Sequence, residues 1–98
     1  MNSKRNVLKE KSFLYALRII KVYKYLDEKK REFILSKQLL RSGTSVGANI
    51  REAQNAQSKR DFIHKLSISQ KESDESQYWL ELVFQSGYLA ENEFQPVY

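Results

Sequence analysis

Apolar residues in this chain recur at three- and four-residue spacing over long segments, the spacing of one face of an α-helix. Short polar stretches separate three such segments, which predict helices over residues 7–28, 33–55 and 59–86. Because the connections are short, successive helices should run antiparallel. The pattern predicts a single all-α domain over residues 1–98, an antiparallel up-down bundle of three long helices followed by a short C-terminal stub from Leu89 to Tyr98.

The second predicted helix has an apolar face whose middle is unusually small, because Gly43 and Gly47 lie there. Each glycine inside a helix costs roughly 1 kcal/mol relative to alanine, so we interpret the pair as a place of close helix packing. The third helix has a seam of small residues on its own apolar face, formed by Ser69, Ser73 and Ser76. In an antiparallel pair the middles lie opposite each other, so we expect the glycines to meet this serine seam.

The first predicted helix has more apolar residues than one buried stripe needs. Its core stripe is predicted to consist of Phe13, Ala16, Leu17, Ile20 and Tyr23, which follow the 3.6-residue period. Leu14, Val22, Tyr25 and Leu26 widen the apolar surface beyond that stripe and indicate a second contact surface.

Both ends of the third helix have local signals. Ser58 followed by Asp61 has the spacing of an N-cap with an acidic residue in the first turn. At the other end Gly87 fits the position after the last helical turn, with Tyr88 able to cover Val83 as in a Schellman motif.

Charge is distributed unevenly along the 98 residues. All 17 Lys and Arg residues lie at or before Lys71, together with only half of the 12 acidic residues. An up, down and up arrangement of the helices would gather many of these cations at one end. Such a surface is typical of a protein that contacts a polyanion, or of complementary faces that meet between subunits. The predicted nucleic-acid-binding residues are Lys4, Arg5, Lys9, Lys11, Arg51, Lys59, Arg60 and Lys65.

Candidate catalytic and metal sites are weak. The run from Arg41 to Gly47 has glycines at the wrong spacing for a phosphate loop, and no Lys-Ser/Thr pair follows. His64 is the single histidine, and there is no cysteine, which removes thiolate metal sites and disulfides. The sequence therefore predicts a protein that is not an enzyme, with no cofactor and no metal. It also has no apolar run of membrane-spanning length, so the cytoplasm is the expected location.

Several motifs together resemble the 23S rRNA intervening-sequence proteins, a family of four-helix bundles. The resemblance lies in residues 42–53 (SGTSVGANIREA), 58–66 (SKRDFIHKL), Lys71-Glu72, 78–82 (YWLEL) and Gly87-Tyr88-Leu89, and it covers about Ser12 to Leu89. It implies an antiparallel bundle that assembles into a homopentamer without enzymatic activity. The family pattern continues into a full fourth helix, of which the stub containing Pro96 would be the beginning. A similar fold in the accessory protein of diversity-generating retroelements engages nucleic acid and a reverse transcriptase.

From these observations we predict a homo-oligomeric bundle, with a pentamer implied by the resemblance, that binds RNA or a nucleoprotein partner through a basic surface and does not contact membranes. The alternative is a structural or scaffolding oligomer without direct nucleic-acid binding, whose cations meet acidic surfaces of its own neighbours. The sequence does not choose between RNA and DNA.

Overall fold

The computed structural model describes residues 3–90, with side chains from Asn6 onward, as three helices without a strand. They are α1 (Ser3–Glu28), α2 (Leu35–Gln54) and α3 (Lys59–Gln85), which confirms the predicted all-α fold and its three long helices. The molecule is elongated, with extents of 43 × 22 × 19 Å. Leu89 and Ala90 follow α3, and the rest of the predicted C-terminal stub, residues 91–98, lies outside the described residues.

Helix α2 is the central element and packs against both of its neighbours. Residues early in α2 face residues late in α1, and residues late in α2 face residues early in α3, so both pairs are antiparallel. Between residues 3 and 90, no Cα atom of α1 lies within 8 Å of one in α3. The two outer helices are instead joined by side chains, which include the hydrogen bond between the Tyr15 hydroxyl and Ser76 Oγ at 2.6 Å.

The hydrophobic core occupies the half of the bundle that contains the α1–α2 connection. Buried side chains from all three helices meet there, together with one residue from the segment after α3. They are Ile19, Val22, Leu26, Leu39, Leu80, Val83 and Leu89. The other half of the bundle contains the buried apolar residues Val46, Ile50 and Ala53 of α2, together with the buried serines Ser12 and Ser69.

The predicted core stripe of α1 is wrong. Phe13 and Leu17 are 50% and 43% exposed, whereas Ser12, Ile19, Val22 and Leu26 form the buried face. Both sets follow a helical period, and they lie on different sides of the same helix. The glycine face of α2 selects between them, because it leaves space that Ile19 fills.

The expected meeting of the glycines with the serine seam of α3 is also wrong, because both glycines face α1. A Cβ atom added to Gly43 would lie 2.7 Å from Ile19 Cγ1, and one added to Gly47 would lie 3.3 Å from Ser12 Oγ. The predicted close helix approach therefore occurs, but between α1 and α2. The serines of α3 have other partners.

Local signals position both ends of α3 as predicted. Ser58 accepts a hydrogen bond from the Asp61 amide at 3.0 Å. Gly87 has a positive φ of 88°, and the Tyr88 amide donates to the Val83 carbonyl at 3.1 Å, which is the Schellman pattern.

Helix α2 begins differently, at Leu35, under a cap that comes from outside the helix. The carboxylate of Glu32 accepts hydrogen bonds from the amides of Ile34, Leu35 and Ser36 at 2.8 to 3.1 Å. Arg31 has a positive φ of 57°, and the reversal there directs Glu32 back toward the helix start. A negative charge at a helix N-terminus is favourable, so this residue stabilises the connection.

Candidate nucleic-acid interface

A groove between α1 and α2 brings together two of the predicted nucleic-acid-binding residues. Lys9 projects from α1 and Arg51 from α2, and the two helices are antiparallel, so one residue near a helix start faces one near a helix end. We call this the cationic groove. The side chains that line it are Lys9, Ser12, Phe13, Ala16, Thr44, Gly47, Ala48 and Arg51.

No carboxylate lines the cationic groove, and its polar groups apart from the cations are small hydroxyls. The Arg51 guanidinium carbon lies 5.6 Å from the centroid of the Phe13 ring, within cation–π distance. The guanidinium therefore lies beside the ring, although Arg51 as a whole is exposed. The groove thus combines positive charge, a planar cation and an accessible aromatic ring.

The remaining predicted binding residues lie at the same end of the bundle but not in this groove. Lys59 and Arg60 begin α3 and are exposed, and they line two different hollows. Lys11 lines a third hollow, on the side of α1 that faces α3. Lys4 and Arg5 belong to the first turns of α1, and their side chains lie outside the described residues.

Lys65 is engaged within the protein. Its ammonium group lies 2.9 Å from Glu52 Oε1 and bridges α3 to α2. The hydrogen bond and the charge of Glu52 raise the pKa of Lys65 above its ordinary value. The charge of Lys65 offsets that of Glu52, the carboxylate next to Arg51 in the sequence.

The predicted packing serines differ in their roles. Ser69 is buried and donates to the Val46 carbonyl at 2.9 Å, which joins α3 to the backbone of α2. Ser76 is fully buried and donates to the Ser73 carbonyl, so its single proton is used and the Tyr15 hydroxyl must donate to it. Ser73 itself is half-buried and lines the hollow between α1 and α3.

Burial sets the ionisation of Tyr15. Loss of solvent raises the pKa of its hydroxyl, and the hydrogen bonds with Ser76 and Gln77 oppose that change only in part. Tyr15 therefore stays neutral as the polar link between the two outer helices.

Two acidic residues of α3 form a structural cluster with α2. Arg41 pairs with Glu72 at 3.2 Å and with Glu75, and Glu75 also accepts from the Trp79 indole at 2.9 Å.

Within residues 3–90, no group of three or more His, Asp or Glu side chains is arranged to hold a metal ion. His64 is exposed in a shallow hollow with Arg60 and Asp61. In that same part of the chain, no helix has the length and apolarity to cross a membrane.

Two residues have roles that the sequence pattern did not reveal: Phe13 in the cationic groove and Glu32 at the start of α2. The apolar period predicts Phe13 in the core, although Lys9 precedes it by four residues and so shares its helix face. That basic–aromatic spacing was the available signal for an exposed surface. Glu32 lies in the short polar stretch between the first two predicted helices, and only the absence of a good N-cap residue before Leu35 indicates that α2 needs another partner.

Comparison with known proteins agrees with this architecture. A crystal structure of a protein of unknown function from the S23 ribosomal protein family of Bacteroides thetaiotaomicron is 51% identical, with a TM-score of 0.93, and the match covers 96% of this chain and 84% of that one. No curated protein matches this chain. The family model described as 23S rRNA-intervening sequence protein matches residues 4–98. The chain therefore belongs to the 23S rRNA-intervening sequence protein family.

Proposed function

We propose that this protein is a non-enzymatic, homo-oligomeric bundle that binds RNA, alone or within a nucleoprotein, through the end of the molecule that contains the cationic groove. The single observation that carries the proposal is that groove, in which Lys9 and Arg51 converge without a lining carboxylate. Phosphate contacts supply most of the affinity in such interfaces, and arginine and lysine are the residues that make them.

The helix directions add further cations to the same end. Because α1 and α3 both begin there, Lys59 and Arg60 at the start of α3 lie at the end of the bundle where Lys9 lies. The acidic residues of α3 mostly come later in the helix, where Arg41 pairs with Glu72 and Glu75. This separation of charge favours a protein with one surface that attracts a polyanion. It argues against a protein whose charge is spread evenly.

Self-association is supported by the outer face of α1, defined here as Val7, Leu14 and Leu17. These residues are 43 to 48% exposed, although all are large and apolar. Their helical spacing puts them in one row on the side of α1 that turns away from α2. Exposed large apolar residues grouped on one side of a helix are typical of a protein–protein contact. We extend the family resemblance here and propose that copies of the chain pack through this row into a ring, for which a pentamer is the expected size.

Charge reversal tests the RNA proposal. We expect the triple variant Lys9→Glu, Lys59→Glu and Arg60→Glu to lose most of its affinity for an RNA hairpin with an unpaired loop, measured by fluorescence anisotropy at moderate salt. Lys65 is left unchanged because its reversal would put two carboxylates together at Glu52.

The matched control reverses three exposed lysines at the opposite end, Lys29, Lys30 and Lys37. It should bind nearly as well as the wild type. Equal weakening in both variants would show a diffuse positive field without a defined surface. If neither variant weakens binding, the scaffolding alternative replaces this proposal.

A second experiment tests self-association. Leu14→Lys should reduce the mass measured by light scattering at micromolar concentration, because it buries a charge in the proposed contact. Ile63→Lys is the control, since Ile63 is a similarly exposed apolar residue on α3. A wild-type protein that is monomeric throughout this range would contradict the oligomer proposal.

A further inference from the structure

The Phe13 ring is the feature of the cationic groove that phosphate binding does not explain. Half of its surface is exposed, although burial of a phenylalanine side chain stabilises a protein by roughly 1.5–3 kcal/mol. Phosphate contacts need only the cations Lys9 and Arg51. An accessible aromatic ring beside them adds a surface on which another flat ring can stack.

The size of the groove limits what can enter it. Its volume is about 290 Å³, just below the range of roughly 300–1,000 Å³ for sites that hold drug-sized molecules. The small side chains of Ala16, Thr44 and Ala48, with Gly47 between them, leave the space beside Phe13 open. A single planar ring system fits such a space, whereas a nucleic-acid duplex does not.

The charges around the groove match a nucleotide rather than an apolar peptide. Lys9 lies four residues before Phe13 on the same face of α1, and Arg51 approaches the ring from α2. The guanidinium is itself planar and stacks on bases as well as binding phosphates. Because no carboxylate lines the groove, an acidic backbone can approach it without repulsion from inside.

We propose that the cationic groove binds an unpaired nucleotide, whose base stacks against Phe13 and the Arg51 guanidinium while Lys9 contacts the adjacent phosphate. The inference rests on the proposed RNA-binding function and specifies its substrate class as single-stranded RNA. Base stacking on an aromatic residue tolerates any base, so the groove selects unpaired strands over duplexes without reading sequence.

The test compares a short labelled single-stranded RNA with the same strand annealed to its complement. Phe13→Leu keeps the apolar bulk but removes the aromatic face, and it should weaken single-strand binding about 5- to 150-fold, the loss expected for one stacked base. Duplex binding should change little. Phe13→Tyr should retain the wild-type affinity for both.

Phe33→Leu is the matched control, because Phe33 is 41% exposed, has the Arg31 guanidinium carbon 5.0 Å from its ring centroid, and lies outside the groove at the opposite end of the bundle. It should leave single-strand affinity unchanged. A single-stranded RNA that contains 2-aminopurine gives an independent readout, since stacking quenches its fluorescence. The quenching should occur with the wild type and with Phe13→Tyr, and should be lost with Phe13→Leu.

The outcomes separate this inference from the function on which it rests. Phe13→Leu could weaken single-strand and duplex binding equally, or it could weaken neither of them. If charge reversal still abolishes binding in such a case, the stacking site is refuted and the RNA-binding proposal stands. If Phe13→Leu changes the oligomeric mass as well, the groove is a contact between copies and the inference is overturned. If the wild type binds neither RNA, both proposals fail.

Discussion

At the scale of single side chains, small residues determine how closely the helices approach each other. Gly43 leaves space that the branched side chain of Ile19 occupies, and Ser69 reaches the backbone carbonyl of Val46. The spacing of the glycines predicted a close contact because a helical glycine needs a tertiary reason. It could not predict the partner, since α2 has two neighbours and a gap can be filled by a large side chain as well as by a small one.

Gly43→Ala should lower stability by about 1–3 kcal/mol, because the added Cβ would overlap the branch atoms of the fully buried Ile19. Gly47→Ala should have a much smaller effect, since its nearest neighbour lies at 3.3 Å and alanine favours the helix. Urea unfolding gives both values. In an Ile19→Ala background the Gly43→Ala penalty should shrink, and an undiminished penalty would mean that the contact is not its cause.

Glu32→Ala should destabilise the protein by roughly 1–3 kcal/mol, because it leaves the amides of Ile34, Leu35 and Ser36 without their acceptor. The stability of Glu32→Gln should lie between those of the wild type and Glu32→Ala, since the side-chain carbonyl oxygen of Gln can still accept hydrogen bonds. Glu28→Ala is the control: Glu28 is exposed in the last turn of α1, where a negative charge is unfavourable. Thermal unfolding measures all three, and equal melting temperatures for Glu32→Ala and Glu28→Ala would argue against the cap.

Helix boundaries and helix faces were predicted with unequal success at the scale of elements. The two ends of α3 followed from Ser58 and Gly87, because capping depends on residues that are adjacent in sequence. The buried face of α1 did not follow from its pattern, since nearly every side of that helix carries apolar residues. Which side is buried depends on the shape of α2, and a single helix's periodicity contains no information about its neighbour.

Tyr15 joins α1 to α3, and its ionisation should make their association sensitive to high pH. Burial raises the pKa of the hydroxyl, so the folded protein keeps the proton while the unfolded chain loses it near the ordinary value of about 10. The unfolded state then binds fewer protons, and stability falls as pH rises from that value through the raised pKa.

The comparison of wild type with Tyr15→Phe isolates this effect from the other groups that titrate in the same range. Chemical denaturation from pH 7 upward should show the difference in unfolding free energy between the two proteins shrinking above about pH 10. A constant difference across the range would show that Tyr15 has the same pKa in both states.

The topology of the whole molecule determines where its charges meet. Cations that are distant in sequence, at Lys9, Arg51 and Lys59, reach one end of the bundle because adjacent helices are antiparallel. This much was predictable from three helical segments with short connections. Two other features depend on side-chain packing, which no spacing rule contains. Lys9 and Arg51 share a groove with Phe13. Lys65 pairs with Glu52.

The salt dependence of RNA binding tests the central claim, that the cationic end binds phosphates, most directly. Each phosphate of a single strand that a protein cation neutralises contributes roughly 0.7 to the magnitude of the slope of log affinity against log salt. Neutralising Lys9, Lys59 and Arg60 to Gln should therefore make that slope shallower by about 2. The same change at Lys29, Lys30 and Lys37 should leave it as in the wild type. Equal slopes in all three proteins would contradict the account.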